Sequence, residues 1–178
     1  GKIDRVDVLR ENDGGPTRYI KIIDYKSGRE RFDIEEARGG WRLQLMLYLR
    51  AALGANSREA NRDNPFKPAG VFYFEIAEPQ IDVTDIPEED YTEKVKAERK
   101  RSFKLDGVVL DDKSIIESIA GEFSGFSDIL PVRKTKDGLY AGSTEKKLLK
   151  EEDFSELLEA VNHKVEELCG ALTAGSIE

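Results

Sequence analysis

Residues 70–76 read GVFYFEI, a near-continuous apolar run of aromatic and β-branched types. Its length and composition fit a strand, and its lack of alternation means that both faces are covered. Such a strand commits the chain to layers of other elements packed on either side of it. The remaining sequence supplies them. Residues 2–9 (KIDRVDVL) alternate loosely between apolar and polar, and residues 19–26 (YIKIIDYK) are rich in strand formers. The turn formers ENDGGPT between them make the two a hairpin. SGRERFD then leads away. From Trp41 to Gly54, WRLQLMLYLRAALG has the Leu, Ala and Met content of a helix, with Gly54 just past its end. Apolar on nearly every side, this helix is expected to be buried. NSREANRDNPFKPAG reads as a loop, and Pro79 and Pro87 bracket an irregular segment. Residues 88–101 form a polar helix ending in a basic run, FKLDGVVL a strand, and KSIIESIAGEF a short helix. LPVRKT and KDGLY make a hairpin about Lys136, Asp137 and Gly138. Phe154, Leu157, Leu158, Val161, Val165, Leu168 and Leu172 recur at helical spacing and define a long amphipathic helix stopped near Gly175. Mixed strands and helices around one hydrophobic set give an α/β or α+β domain, expected to span 1–178 as a single unit.

Composition narrows the functions. With 39% hydrophobic and 36% charged residues the chain is not disordered by composition. It has no apolar run of membrane-spanning length and no secretory signal. It opens at Gly1 without Met and reads as a piece of a longer protein. Its one cysteine, Cys169, is expected to be a partly buried, inert thiol. One thiol makes no internal disulfide, is too few for a zinc or iron–sulfur site, and suits a reducing cytoplasm. The net charge of −8 argues against coating nucleic acid by bulk charge. It leaves room for an enzyme that gathers carboxylates around a metal and touches DNA through a local basic patch.

The chemistry starts at Asp24-Tyr25-Lys26. Residues two apart in a strand share a face, so Asp24 and Lys26 point one way and Tyr25 the other. The carboxylate can hold a hard divalent cation, and the ammonium can orient a water or steady charge on a phosphate. Asp-x-Lys is very common, and taken alone the pair reads first as a cross-face salt bridge on an exposed hairpin. Asp4 lies in the partner strand. Two carboxylates brought together repel unless a cation sits between them, although Asp4 also reads as a solvated neighbour of Arg5. Asp7, three positions on, is expected on the opposite side, in solvent or structure. Gln44 and Tyr48 are four apart on the helix and project from one face. They either form a core hydrogen-bond network or reach the hairpin site.

Together, GKIDRVDV, IIDYKSG and LQLMLYLRA, in this order and spacing, resemble the RecB-type branch of the PD-(D/E)xK nucleases. Within that branch they are similar to the C-terminal nuclease domains of AddB-type subunits of bacterial helicase–nucleases. The likeness runs on through KPAGVFYFEI and SFKLDGVVL to LTAGSIE, and so covers most of the chain. It implies a restriction-endonuclease-like core, a central mixed sheet flanked by helices. It implies metal binding by Asp4 and Asp24, a catalytic role for Lys26, and the Gln-x-x-x-Tyr helix motif at Gln44 and Tyr48. The implied activity is Mg²⁺-dependent exonucleolytic cleavage of DNA, with Mn²⁺ able to substitute, in a cytoplasmic complex that processes double-strand breaks for recombinational repair. The implied partners are DNA and an AddA-type helicase–nuclease subunit. Two features of the family are absent. A further active-site residue, on a helix preceding Gly-x-Ile-Asp, has no counterpart in a chain that starts at Gly1. Of the four cysteines that hold an iron–sulfur cluster in such subunits, Cys169 matches none, so no cluster is expected here. The alternative is a non-catalytic nuclease-fold scaffold or DNA-guiding module. The intact Asp/Asp/Lys set argues against it, since a non-catalytic copy has no reason to keep like charges together.

Other features carry less. Lys94, Lys96, Arg99, Lys100, Arg101 and Lys104 form the densest basic stretch, interrupted by Glu98. It reads as a solvated helix face or, through Lys100 and Arg101, as a contact for the DNA backbone. Arg29 and Arg31 follow Lys26 closely and are better placed to meet phosphate near the site. His163, opposite the apolar stripe of the last helix, reads as a surface residue. No Gly-rich loop of the Walker kind supports ATP hydrolysis.

Overall fold

The computed structural model describes residues 2–10, 15, 17–28, 30–59, 66–76, 87–143 and 146–176; the side chains of 56–59, 88–90 and 101 lie outside the description. Five strands form the main sheet: β1 (Arg5–Arg10), β2 (Arg18–Lys26), β3 (Phe66–Glu75), β4 (Asp106–Leu110) and β8 (Leu148–Leu149), side by side in that order. β1 and β4 run antiparallel to their neighbours β2 and β3, whereas β2–β3 and β4–β8 are parallel. A smaller antiparallel sheet joins β5 (Gly125–Phe126), β6 (Val132–Lys134) and β7 (Tyr140–Gly142). The helices are α1 (Ile34–Arg38), α2 (Gln44–Glu59), α3 (Glu88–Ser102), α4 (Lys113–Ala120) and α5 (Glu151–Thr173).

β3 is the central strand that its apolar run requires, buried from Ala69 to Tyr73. Its two faces feed two cores. On one, Ile20, Ile22, Val71 and Tyr73 meet Leu45, Met46 and Leu49 of α2 and Phe154, Leu157 and Val161 of α5. On the other, Ile23, Phe72 and Val109 meet Ile116 of α4, with Leu130 and Val132 at the small sheet. The result is a mixed sheet flanked by helices, the α/β arrangement expected of a restriction-endonuclease-like core. The β1–β2 and β6–β7 hairpins, α3, α4 and α5 lie where the sequence places them.

Other expectations are corrected. α1 is absent from the sequence reading, although Asp33 caps it by accepting from the backbone N–H groups of Glu35 and Glu36. α2 begins at Gln44 rather than Trp41, which is 73% exposed, and runs through Gly54 to Glu59. It is not buried all round: Arg50, Ala51, Gly54 and Ala55 face outward. The expected loop 56–70 is helix at its start and strand at its end, with 60–65 outside the described residues. Pro68 is accommodated inside β3 because the β2–β3 register shifts beside it, and the β4 ladder starts only at Gly70. β5 and β8, two residues each, escape pattern reading. The strand expected over 103–110 starts at Asp106. The apolar stripe of α5 stops packing before its end: Leu168 and Leu172 are exposed, and so is Cys169. The turn expected over 11–17 falls largely, and the segment 77–86 wholly, outside the described residues.

A half-buried ionic clamp fixes the connection that leaves β2. The Asp106 carboxylate accepts from the Phe32 backbone N–H at 2.9 Å and from Lys147 Nζ at 2.7 Å, and Lys147 also donates to the Phe32 carbonyl at 3.0 Å. On the same strand, Gly107 is required by space. A Cβ there would lie 1.9 Å from the Val71 carbonyl oxygen and 2.8 Å from Phe72 Cα, both backbone atoms of β3. Gly107→Ala is therefore expected to force β3 and β4 apart and cost about 3 kcal/mol or more, read as a lower urea midpoint with retained cooperativity.

Candidate functional site

Asp24 and Lys26 end β2 with side chains on the face that α2 covers. The fold places the first turn of α2 over them. Lys26 Nζ stands 2.7 Å from Asp24 Oδ2 and donates to Gln44 Oε1 at 2.8 Å. The Gln44 amide donates to Tyr48 OH at 2.9 Å and, more weakly, to Asp24 Oδ1 at 3.4 Å. The four residues thus form one connected polar cluster inside an apolar layer. Asp24 is only 3% exposed. A carboxylate so buried stays charged only when a cation and donors meet it. The hydrogen bond to Asp24 raises the Lys26 pKa above its ordinary value, against the opposing pull of burial.

Asp4 lies just before β1, exposed. Its carboxylate accepts from the Tyr25 backbone N–H at 3.0 Å. The β1–β2 register ends at Arg5 and Ile23, so Asp4, one residue before it, reaches β2 through this bond to the backbone between Asp24 and Lys26. Asp7 takes no part in the cluster. It pairs with Lys21 at 2.9 Å and Arg5 at 2.8 Å, and although partial burial works against its charge, these partners hold its carboxyl below the ordinary value.

Whether a metal fits can be judged on Asp24. Its Oδ2 is buried and meets only the Lys26 ammonium, at 2.7 Å, among the described residues. Such an oxygen has a lone pair to give a hard cation. With Asp4 held on the neighbouring Tyr25 backbone, the two carboxylates suit a small oxygen-seeking divalent ion that keeps several of its waters. No cluster of three or more Asp, Glu, His or Cys side chains is placed to enclose a metal among the described residues.

Two residues beside Lys26 escape the sequence reading. The β2–β3 register sets Tyr73 beside Asp24 and Glu75 beside Lys26, and the Tyr73 ring centroid lies 5.2 Å from Lys26 Nζ. Burial pushes the Tyr73 phenol up. The signal was the two-residue spacing in Tyr73-Phe74-Glu75, which has no meaning until the parallel register is known. At the entrance to α2, Arg42 takes a left-handed backbone (φ 50°) and joins Glu30, just beyond Lys26, to Glu36 of α1.

The basic residues singled out from sequence fare differently. Arg29 lies outside the described residues. Arg31 is exposed, and its backbone carbonyl accepts from Arg42 at 3.4 Å. Lys100 pairs with Asp128 at 2.6 Å on the surface, away from the cluster, and the Arg101 side chain is not described. His163 is exposed. No described helix is long and apolar enough to cross a membrane.

The profile of the PD-(D/E)XK nuclease superfamily matches residues 1–178. Similar proteins include the B subunit of the ATP-dependent helicase/deoxyribonuclease of Alkaliphilus oremlandii, 36% identical over 178 residues, which covers 100% of this chain and 15% of that protein. The same-named proteins of Thermoanaerobacter sp. (37% over 181 residues) and Clostridium tetani (37% over 177 residues) each align with 99% of this chain and 14% of their own length. The chain thus spans about one seventh of these relatives.

One prediction follows from the buried pair. Lys26 has a raised folded pKa, so its contribution to stability is fully present below the unfolded value of 10.5 and is lost as pH rises through the folded value. Lys26→Met is expected to cost about 3 kcal/mol near neutral pH, because it strands the Asp24 charge. Above pH 10.5 the difference from wild type should shrink. Urea midpoints measured for both chains from pH 7 to 11.5 check this.

Proposed function

The chain belongs to the PD-(D/E)XK nuclease superfamily, and from that premise we propose that it hydrolyses DNA phosphodiester bonds with a Mg²⁺ ion, replaceable by Mn²⁺, held by Asp4 and Asp24. The observation that carries the reading is the buried Asp24 carboxylate, whose Oδ2 meets the Lys26 ammonium at 2.7 Å and no other donor among the described residues. Burying a charge in an otherwise apolar layer costs stability, and the cost is met where a bound ligand uses that charge. A divalent cation at this position supplies Lewis acidity toward a phosphate oxygen and toward water.

The residues of the chain do the rest. Lys26 projects its ammonium beside Asp24, where it orients the attacking water and offsets the charge that grows on the phosphoryl oxygens. Gln44 fixes Lys26 through its Oε1, and Tyr48 fixes the orientation of Gln44. None of these groups reads a base, because phosphate contacts carry no sequence information. The relatives named as helicase/deoxyribonuclease subunits support action within a helicase–nuclease. We place the chain there as an exonuclease domain, beside an AddA-type subunit, at DNA ends being processed for recombinational repair in the cytoplasm.

The reading is tested by metal binding and activity together. Calorimetry with Mn²⁺ should give binding to wild type that disappears in Asp24→Ala and survives in Lys26→Ala. Lys26→Ala should then lower the Mg²⁺-dependent cleavage rate by about 10²- to 10³-fold, the usual loss of one charge-stabilising donor. Absence of Mn²⁺ binding by the folded wild-type chain would sink the catalytic assignment.

A further inference from the structure

Tyr25 sits between Asp24 and Lys26 and points to the opposite face of the sheet. A row of aromatic rings begins there. Tyr25 meets Phe74 edge-on, with centroids 5.8 Å apart and planes at 90°. Phe74 then stacks on Phe103, 6.2 Å away at 15°. The row crosses the ends of β2, β3 and the approach to β4, at the same end of the sheet as the Asp24–Lys26 cluster. Its outer rings are open: Tyr25 is 39% exposed and Phe103 59%. Phe74 is half-buried and anchors the row on the core beside Phe72 and Ile23, while Tyr25 and Phe103, on either side of it, leave ring surface open to a ligand.

The surrounding charge says which ligand. Phe103 directly follows α3, whose first turns carry Glu88, Glu89, Asp90 and Glu93 but whose last two turns carry Lys94, Lys96, Arg99, Lys100 and Arg101 against one carboxylate, Glu98, with Lys104 next after the ring. Lys94, Lys96 and Lys100 are exposed. The pair Lys100–Asp128 is exposed on both sides, and a pair of that kind is worth little, so a phosphate can replace the carboxylate. At the other end of the row, the half-exposed Arg5 guanidinium hydrogen-bonds to Asp7 at 2.8 Å and reaches the Tyr25 hydroxyl. Open aromatic faces flanked by cations form the combination that takes unpaired bases on the rings and phosphates on the ammonium groups.

We propose that Tyr25, Phe74 and Phe103 form a stacking track for unpaired nucleobases, with the cations of α3 meeting the phosphates, so that a single strand is held on the sheet face opposite Asp24 and Lys26. The track rests on the nuclease reading, because it gives the strand a path at the rim of that site. It is sequence-tolerant, since every base has a face to stack.

The test is binding in EDTA, where neither metal nor cleavage contributes. Fluorescence anisotropy compares an oligothymidylate of about 12 nucleotides, within the usual site sizes, with an abasic strand of equal length and charge. Wild type is expected to prefer the strand with bases. Phe103→Leu keeps apolar bulk but removes the aromatic face. It should weaken oligothymidylate binding by roughly 5- to 150-fold and leave abasic binding unchanged, with Phe103→Trp retaining the preference. Lys100→Gln should weaken both strands and flatten the salt dependence by about one phosphate contact. Equal binding of both strands by wild type, or an unchanged preference in Phe103→Leu, overturns the track. So does self-association that Phe103→Leu abolishes with the preference intact, since the row is then an interface between copies. Mn²⁺ binding measured on the same proteins separates the two ideas: if it persists while the preference is missing, the track alone falls, and if wild type binds no Mn²⁺, the nuclease reading falls with it.

Discussion

The β2–β3 pair is parallel, and parallel neighbours cannot be joined by a tight turn. Residues 27–65 must travel from one end of the sheet back to the other, and on the way they fold as α1 and α2. That return path lays Leu45, Met46 and Leu49 on Ile20, Ile22 and Val71, closing one face of the sheet. The same helix face carries Gln44 and Tyr48 at its first turn. The crossover therefore does two jobs at once: it seals the core, and it delivers the amide and the phenol to the end of β2 where Asp24 and Lys26 stand. The Asp106–Lys147–Phe32 clamp and the Arg42 pairs with Glu30 and Glu36 act on the same connection, holding its path between Lys26 and Gln44.

Around Asp24 the fold accepts a cost. A buried carboxylate at 3% exposure is poor for stability, and a hydrophobic residue of similar size would pack there more favourably. Lys26 and Gln44 reduce the cost without removing it, because Asp24 Oδ2 meets only the lysine ammonium and Oδ1 only the distant Gln44 amide among the described residues. The exposed aromatic row on the reverse of the same strand ends is a second feature that packing alone does not favour. Both lie at one end of the sheet, where the strands stop and side chains are free to serve something other than the core.

Much of this was legible in the chain itself. The apolar run at 70–76 forces a central strand, and the alternation in YIKIIDYK puts Asp24 with Lys26 and against Tyr25. What was missed has identifiable causes. α1 is five residues long, too short for helical periodicity to register, and only the Asp33 cap marked it. The expected end of α2 failed because Gly54 tolerates a helix interior at modest cost when the adjacent Ala52 is packed. Phe66-Lys67-Pro68 looked like loop, since Pro reads as a breaker until the irregular register beside it is known. Leu168 and Leu172 take a packing role from periodicity, which marks a face of a helix but cannot say where its partner stops.

The sequence alone determined the local facts: which residues share a face of β2, which pair sits one turn apart on α2, and that one strand is covered on both sides. Those follow from the fixed periods of strand and helix, which operate within a few residues. Register and crossover were decided only by the tertiary structure, because they join segments tens of residues apart and depend on how whole faces pack. That is why Asp4, Tyr73 and Glu75 find their places beside Asp24 and Lys26 only in the folded sheet, and why the rings of Tyr25, Phe74 and Phe103, scattered over 79 positions of sequence, become one continuous surface.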